Sequence, residues 1–195
     1  AGLAGAATIL TAFAINELRR RNPLFPFSVL RIPGLAAADA TLTPELSTRP
    51  RVLVTGGTGL MGSKVVTELR SAGFPVRALA RRVPPYSRRV AGVEYVAADL
   101  ASDFPAGVTA GVGAVVHCAA ETAGGKQDHR RNSIEATRRL LEAAAAAGAT
   151  QVIHVSSIAV LVSSRSLGRP VDESTPVDPN AAARGPYVWG KAESE

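Results

Sequence analysis

Cysteine is nearly absent: Cys118 stands alone among the 195 residues, so no internal disulfide and no cysteine-based zinc cluster can form. No His or acid cluster makes up for it, and no metal site is expected. A chain with so little cysteine chemistry fits a reducing cytoplasm, which is the expected compartment. Aromatic residues are also scarce at 5%, and no stacking array accompanies the basic residues behind the net charge of +6. The arginines come instead in scattered pairs, Arg130-Arg131 and Arg138-Arg139, of the kind that solvate a helix face, so nucleic acid is not an expected partner. Disorder is excluded by composition, since 46% of the residues are hydrophobic and only 19% charged.

Long apolar runs are missing too. The one at Ala1 to Ile15 falls short of the ~20 residues that span a bilayer, so membrane association, which would have to come through residues 1–15, is not expected. Its basic cluster Arg19-Arg20-Arg21 follows the run, whereas a signal peptide carries its charge in front. A buried or interface helix is the simpler expectation. From Asn22 onward Pro23, Pro26, Pro33, Pro44 and Pro50 recur too closely for a long helix or a central strand. Residues 1–50 are therefore expected to form an N-terminal extension and linker, with one folded domain over residues 51–195. With no initiator Met, and with Glu195 falling inside a helical pattern, the chain is expected to be a piece of something longer.

After Arg51, short apolar runs alternate with longer amphipathic segments. Residues 51–54, 76–80, 93–97, 112–117 and 151–155 are expected strands; 60–72 and 128–147 are expected helices, the second stopped by Gly148. Such alternation implies right-handed crossovers onto a parallel, doubly wound α/β sheet, with ligands at the carboxyl ends of the strands.

Every chemically informative motif falls at such an end. Between the first strand and first helix lies Thr55-Gly56-Gly57-Thr58-Gly59-Leu60-Met61-Gly62. Gly56 permits a tight turn, Gly59 lets backbone amides approach a pyrophosphate, and Gly62 lets the helix pack close to the strand. Thr58, Leu60 and Met61 complete the expected Rossmann-type dinucleotide cradle. After the second strand, where an NAD enzyme places an acid on the ribose, stand Arg81 and Arg82. A guanidinium pairs with a 2′-phosphate, so Arg81 favours NADP, with NAD as the alternative cofactor; a plain pair of loop cations is the competing reading. Asp99-Leu100 follows the third strand and His117-Cys118-Ala119-Ala120 the fourth.

Tyr187-Val188-Trp189-Gly190-Lys191 puts a Tyr and a Lys four apart, on one helix face. The ordered set of glycine turn, Asp-Leu pair, Ala119-Ala120, Ser156-Ser157 and Tyr-x-x-x-Lys resembles the extended short-chain dehydrogenase/reductase (epimerase/dehydratase-like) family over residues 51–195. The resemblance implies that Asp99 and Leu100 contact adenine, unless Asp99 merely caps a helix, and that Ala119 and Ala120 let the cofactor ribose lie close. It implies Tyr187 as general acid/base, Lys191 as the ammonium that binds the nicotinamide ribose and assists Tyr187, and Ser157 as the donor to the substrate oxygen, with Ser156 as the alternative. Asn132 resembles a family Asn near the active site and is expected to be structural. His117 and Cys118 are expected to be packing residues.

Two departures narrow the reading. Dehydratases of the family carry Asp-Glu directly after the active-site hydroxyl, where this chain has Ile158-Ala159, so dehydration is disfavoured. The residue before the Lys is commonly Ser and here is Gly190. The implied activity is NAD(P)-dependent oxidation or reduction at a carbonyl/carbinol carbon. Nucleotide-sugar epimerisation is the enzymatic alternative, and a non-catalytic NAD(P)-binding regulator is the alternative of another class. The expected partner is a small molecule, a nucleotide sugar or a hydrophobic carbonyl compound, and a homodimer is open. The substrate-binding part and the last strands of the sheet are expected to lie outside the chain, leaving the sheet C-terminally incomplete.

Overall fold

The computed structural model describes residues 49–102, 105–162 and 168–195. The apolar run at 1–15 and most of the proline-rich segment therefore lie outside the described residues. Among the described residues, no helix is long and apolar enough to cross a membrane.

Five strands form one wholly parallel sheet: β1 (Arg51–Thr55), β2 (Val76–Ala80), β3 (Glu94–Ala97), β4 (Val112–His117) and β5 (Gln151–His154). Their order across the sheet is β3-β2-β1-β4-β5, so the chain winds outward in one direction from β1 and then crosses back to wind outward in the other. Helix α1 (Leu60–Ser71) follows β1. A second helical stretch joins β4 to β5: α2 (Lys126–His129), a π-helical segment (Arg130–Glu135) and α3 (Ala136–Ala146) run without interruption. Helix α4 (Pro186–Glu193) comes last. The expected strands and helices are present with ends displaced by one or two residues. The π-helical segment had no counterpart in the sequence reading.

Period-two alternation along β1 explains the layering. Val52 and Val54 face α1, meeting Val65 and Val66, while Leu53 faces α3, meeting Ala136, Leu140 and Ala144. A strand buried on both faces must be apolar throughout, and Val52, Leu53 and Val54 have no exposed surface. The described residues begin just before β1. Arg49 stacks its guanidinium 4.9 Å above the Phe74 ring, and Pro50 is packed where a Cβ on Gly113 would come within 2.5 Å of it.

Register brings the strand ends level: Thr55 pairs with Leu79 and with His117, and His117 with His154. His117 ties them together internally. Its Nδ1 meets Thr55 Oγ1 at 2.6 Å and its Nε2 meets Thr137 Oγ1 at 2.9 Å, so a fully buried imidazole links β1, β4 and α3. Burial first, then His154 and Lys191, push its pKa down to about 3. His117 is the packing residue its sequence position suggested.

Candidate dinucleotide and catalytic site

A cavity of about 500 Å³ opens along the carboxyl edge of the sheet, taking residues from beyond all five strands. A ligand crevice is expected at this place, where the winding reverses, and the volume is ordinary for one. Its floor is the glycine turn. Gly56 has φ +64°, and a Cβ there would lie 2.9 Å from the Ala119 amide nitrogen. At Gly62 a Cβ would lie 2.2 Å from the Gly56 carbonyl oxygen. Both positions need glycine, one for its backbone conformation and contact, the other for the approach of α1 to the turn. Thr58, Gly59, Leu60 and Met61 line the same floor. Helix α1 has no acid in its first turn, so its amide dipoles face the cavity without a competing negative charge.

At one end stand Arg81, exposed after β2, and Asp99 and Leu100 after β3. Arg82 is absent from the lining. Asp99 faces the cavity while its Oδ1 accepts the Ala101 amide at 3.0 Å, so the local turn and the cavity share one carboxylate. Ala119 and Ala120, past β4, line the middle.

Tyr187 and Lys191 line the other end. Pro186 at the first position of α4 suits its start, and a four-residue spacing puts both side chains on one face. Lys191 is buried, and its Nζ donates to the Val155 carbonyl at 2.7 Å. Burial lowers its pKa to about 8, with Cys118 and Glu195 acting the opposite way. Cys118, also in the lining, has its thiol pushed up to about 12 by burial, against the pull of Lys191. It is a protonated packing group.

The serine pair divides. Ser156 is buried, lines the cavity and donates to Glu195 Oε1. Ser157, the expected donor to substrate, is not in that lining; its Oγ accepts the Ala159 amide at 3.2 Å at the start of a short 3₁₀ turn. An accepting Oγ keeps its own proton available to donate.

Glu121, Thr122 and Asn132 also line the cavity. Sequence reading missed the first two and placed Asn132 in the scaffold. Asn132 belongs to the π-helical segment and donates from Nδ2 to Glu121 Oε2 at 2.7 Å. A π turn carries one residue more than an α turn, and such turns recur at functional sites. The only signal for Glu121 was its position directly after Ala119-Ala120.

Gly190 has a local explanation. A Cβ there would come within 2.9 Å of both Cβ and Nδ1 of His129. His129 is buried, and its ring stands edge-on to Tyr187 with 6.1 Å between centroids. Trp189, beside it, lies beneath Lys126 and Arg130, 5.0 and 5.6 Å from its centroid. Helices α2 and α4 therefore meet at a glycine notch.

The model of the NAD dependent epimerase/dehydratase family matches residues 52–195. Among curated proteins, the chain is 36% identical over 156 residues to divinyl chlorophyllide a 8-vinyl-reductase of Zea mays, covering 73% of this chain and 39% of the relative. It is 32% identical over 139 residues to a 3 beta-hydroxysteroid dehydrogenase/Delta 5-->4-isomerase of Mycobacterium tuberculosis, covering 66% and 36%. The chain thus spans about two fifths of the length of these relatives. Among solved structures it is similar to MoeE5 in complex with UDP-glucose and NAD, with TM-score 0.61, 30% identity and coverage of 74% of this chain and 46% of that one. It is also similar to an NAD-bound short-chain dehydrogenase/reductase superfamily protein of Agrobacterium tumefaciens, with TM-score 0.60, 32% identity and coverage of 74% and 42%.

Proposed function

Because this chain belongs to the NAD dependent epimerase/dehydratase family, we propose that residues 51–195 are the cofactor-binding unit of a longer NAD(P)-dependent oxidoreductase acting at a carbonyl/carbinol carbon. The observation that carries the proposal is that Tyr187 and Lys191 line the same cavity as the glycine turn. That shared lining supports reading Tyr187 as a proton donor beside a dinucleotide cradle.

The nicotinamide supplies or accepts the hydride when bound. Reduction of a carbonyl needs a hydride at carbon and a proton at oxygen together, so Tyr187 and Lys191 would hold the nicotinamide end of the cofactor and Arg81 and Asp99 its adenosine end. Tyr187 gives its phenolic proton to the substrate oxygen, or takes it in the reverse direction. Lys191, anchored on the Val155 carbonyl, holds the ribose hydroxyls and offsets the charge that develops on Tyr187. Ser157, whose Oγ accepts the Ala159 amide, is assigned as the second donor to the substrate oxygen, with Ser156, which lines the cavity but donates to Glu195, as the alternative. Arg81 is assigned to a 2′-phosphate, which makes NADP the preferred cofactor over the NAD held by the structural relatives.

Epimerisation of a nucleotide sugar is the second enzymatic reading, supported by the likeness to MoeE5 with UDP-glucose. It would use the same Tyr and Lys. A regulator that only senses the dinucleotide does not need the Tyr187 proton donor in its cavity, which counts against it.

The test uses the full-length protein with nucleotide sugars and hydrophobic ketones as substrates. Tyr187→Phe keeps the ring but removes the delivered proton, so dinucleotide affinity is expected to persist while turnover falls by roughly 10²-fold or more. Lys191→Ala is expected to damage both. Full activity in Tyr187→Phe would overturn the mechanism and leave only dinucleotide binding. Ser156→Ala and Ser157→Ala, measured alongside, show which hydroxyl serves.

A further inference from the structure

Among the described residues two carboxylates line the cavity, Asp99 at the Arg81 end and Glu121. Glu121 lies at the other end. It is close enough to His129, whose ring abuts Tyr187, for that histidine to act on its charge. Its carboxylate is held from three directions: Oε2 accepts Asn132 Nδ2 at 2.7 Å, and Oε1 accepts the amides of Thr122 and Ala123 at 3.1 and 3.2 Å. Its own amide donates to Ser133 Oγ at 3.1 Å, which pins the backbone as well. Both Asn132 and Ser133 come from the π-helical segment. Three donors to one carboxylate favour its ionised form, and the hydrogen bond from Asn132 is the largest cause holding its pKa below the ordinary value.

A fixed negative charge here faces a ligand whose own charge changes in the reaction. The oxidised nicotinamide ring is a cation and the reduced ring is neutral. Lys191 brings a positive charge to the same end of the cavity, which by itself disfavours the cationic ring; Glu121 supplies the opposing sign. We infer that Glu121 sets the redox preference of the site, its carboxylate strengthening binding of the oxidised dinucleotide relative to the reduced one. This rests on the reading above, in which the cavity takes a dinucleotide with its nicotinamide at the Tyr187 end. The attraction is one of charge across the cavity and requires no direct contact.

The experiment is substrate-free. Dissociation constants of NADP⁺ and NADPH, and of NAD⁺ and NADH, are measured by calorimetry on the full-length protein and on Glu121→Gln, which keeps an oxygen for the two loop amides. The ratio of the oxidised to the reduced constant is expected to rise about fivefold or more, through weaker binding of the oxidised form. Asn132→Ala, which frees the carboxylate to turn into solvent, should move the ratio the same way by less. A ratio unchanged within twofold in Glu121→Gln would overturn the inference, and so would an equal loss for both forms, which would make Glu121 a loop brace. If the unmodified protein binds neither form, the dinucleotide reading itself fails and the inference falls with it. Binding with an unmoved ratio sinks the inference alone.

Discussion

Lys191 shows what burial does to a single charged group. Its folded pKa of about 8 lies below the ordinary 10.5, so between those values the unfolded chain binds more protons than the folded one, and stability rises with pH across that window. His117 and His154 follow the same rule lower on the scale. Burial is the first cause for both, bringing them to about 3 and about 4 from 6.5. Below 6.5 the unfolded imidazoles gain protons that the folded ones refuse, and stability falls as the pH drops toward 4. Melting temperature measured from pH 7 to pH 4 should therefore decline, and His154→Gln should flatten the slope by removing one of the two refused protons. A slope unchanged in that variant would assign the acid sensitivity elsewhere. Arg81 poses a different question, since its side chain is exposed and a partner would have to come from the ligand. One charge-assisted contact to a 2′-phosphate is worth on the order of 1.5–3 kcal/mol. Calorimetry on Arg81→Ala should show the preference for NADP over NAD collapsing, while a retained preference would pass the role to Arg82.

At the scale of elements, the notch between α2 and α4 makes a direct test of packing. Gly190→Ser puts a Cβ within 2.9 Å of His129, and since both helices are docked there the clash should cost about 1–3 kcal/mol by denaturant unfolding. Adding His129→Gly, which removes both clashing atoms, should recover part of it; equal stability of Gly190→Ser and the unmodified protein would show the notch to be loose. This pair also marks where sequence reading stopped. The β1 turn and α1 were legible because glycine spacing, strand period and helix period all pointed one way. Tyr187 and Lys191 were legible because a four-residue interval on a helix fixes a shared face. Gly190 could be seen to differ from the common Ser, but its reason lay in His129, 61 positions earlier in the chain. The π-helical segment was illegible for a related cause. A π turn is defined by backbone hydrogen bonds and has no side-chain signature, so the helix was expected and the meeting of Asn132 with Glu121 was not. Ser156 and Ser157 stayed ambiguous because adjacent residues differ in direction only through the local turn.

For the molecule as a whole, a parallel, doubly wound sheet could be anticipated from the alternation of elements, because a right-handed crossover leaves few topologies open, while the order β3-β2-β1-β4-β5 came only with the structure. The contacts of Arg49 with Phe74 and of Pro50 with Gly113 were not legible, because proline spacing says where a helix cannot run and nothing about what the chain packs on. The cavity depends on that winding as a whole, since each of the five strand ends contributes to its lining and β1 must find both β2 and β4, the latter some sixty residues downstream. No single hairpin or helix pair makes a partial version of it. Parallel pairings between distant segments are slow to form, since chain entropy is lost before the contacts reward it. On the proposed reading, affinity for a dinucleotide is therefore expected late on the folding route, and an intermediate with most of its helix in place has nothing to offer the ligand. In a stopped-flow refolding experiment, helical circular dichroism should recover before the enhanced fluorescence of bound NADPH. Adding the dinucleotide should slow unfolding and leave the folding rate unchanged, so the ligand acts as a latch on the finished sheet and not as a template for it.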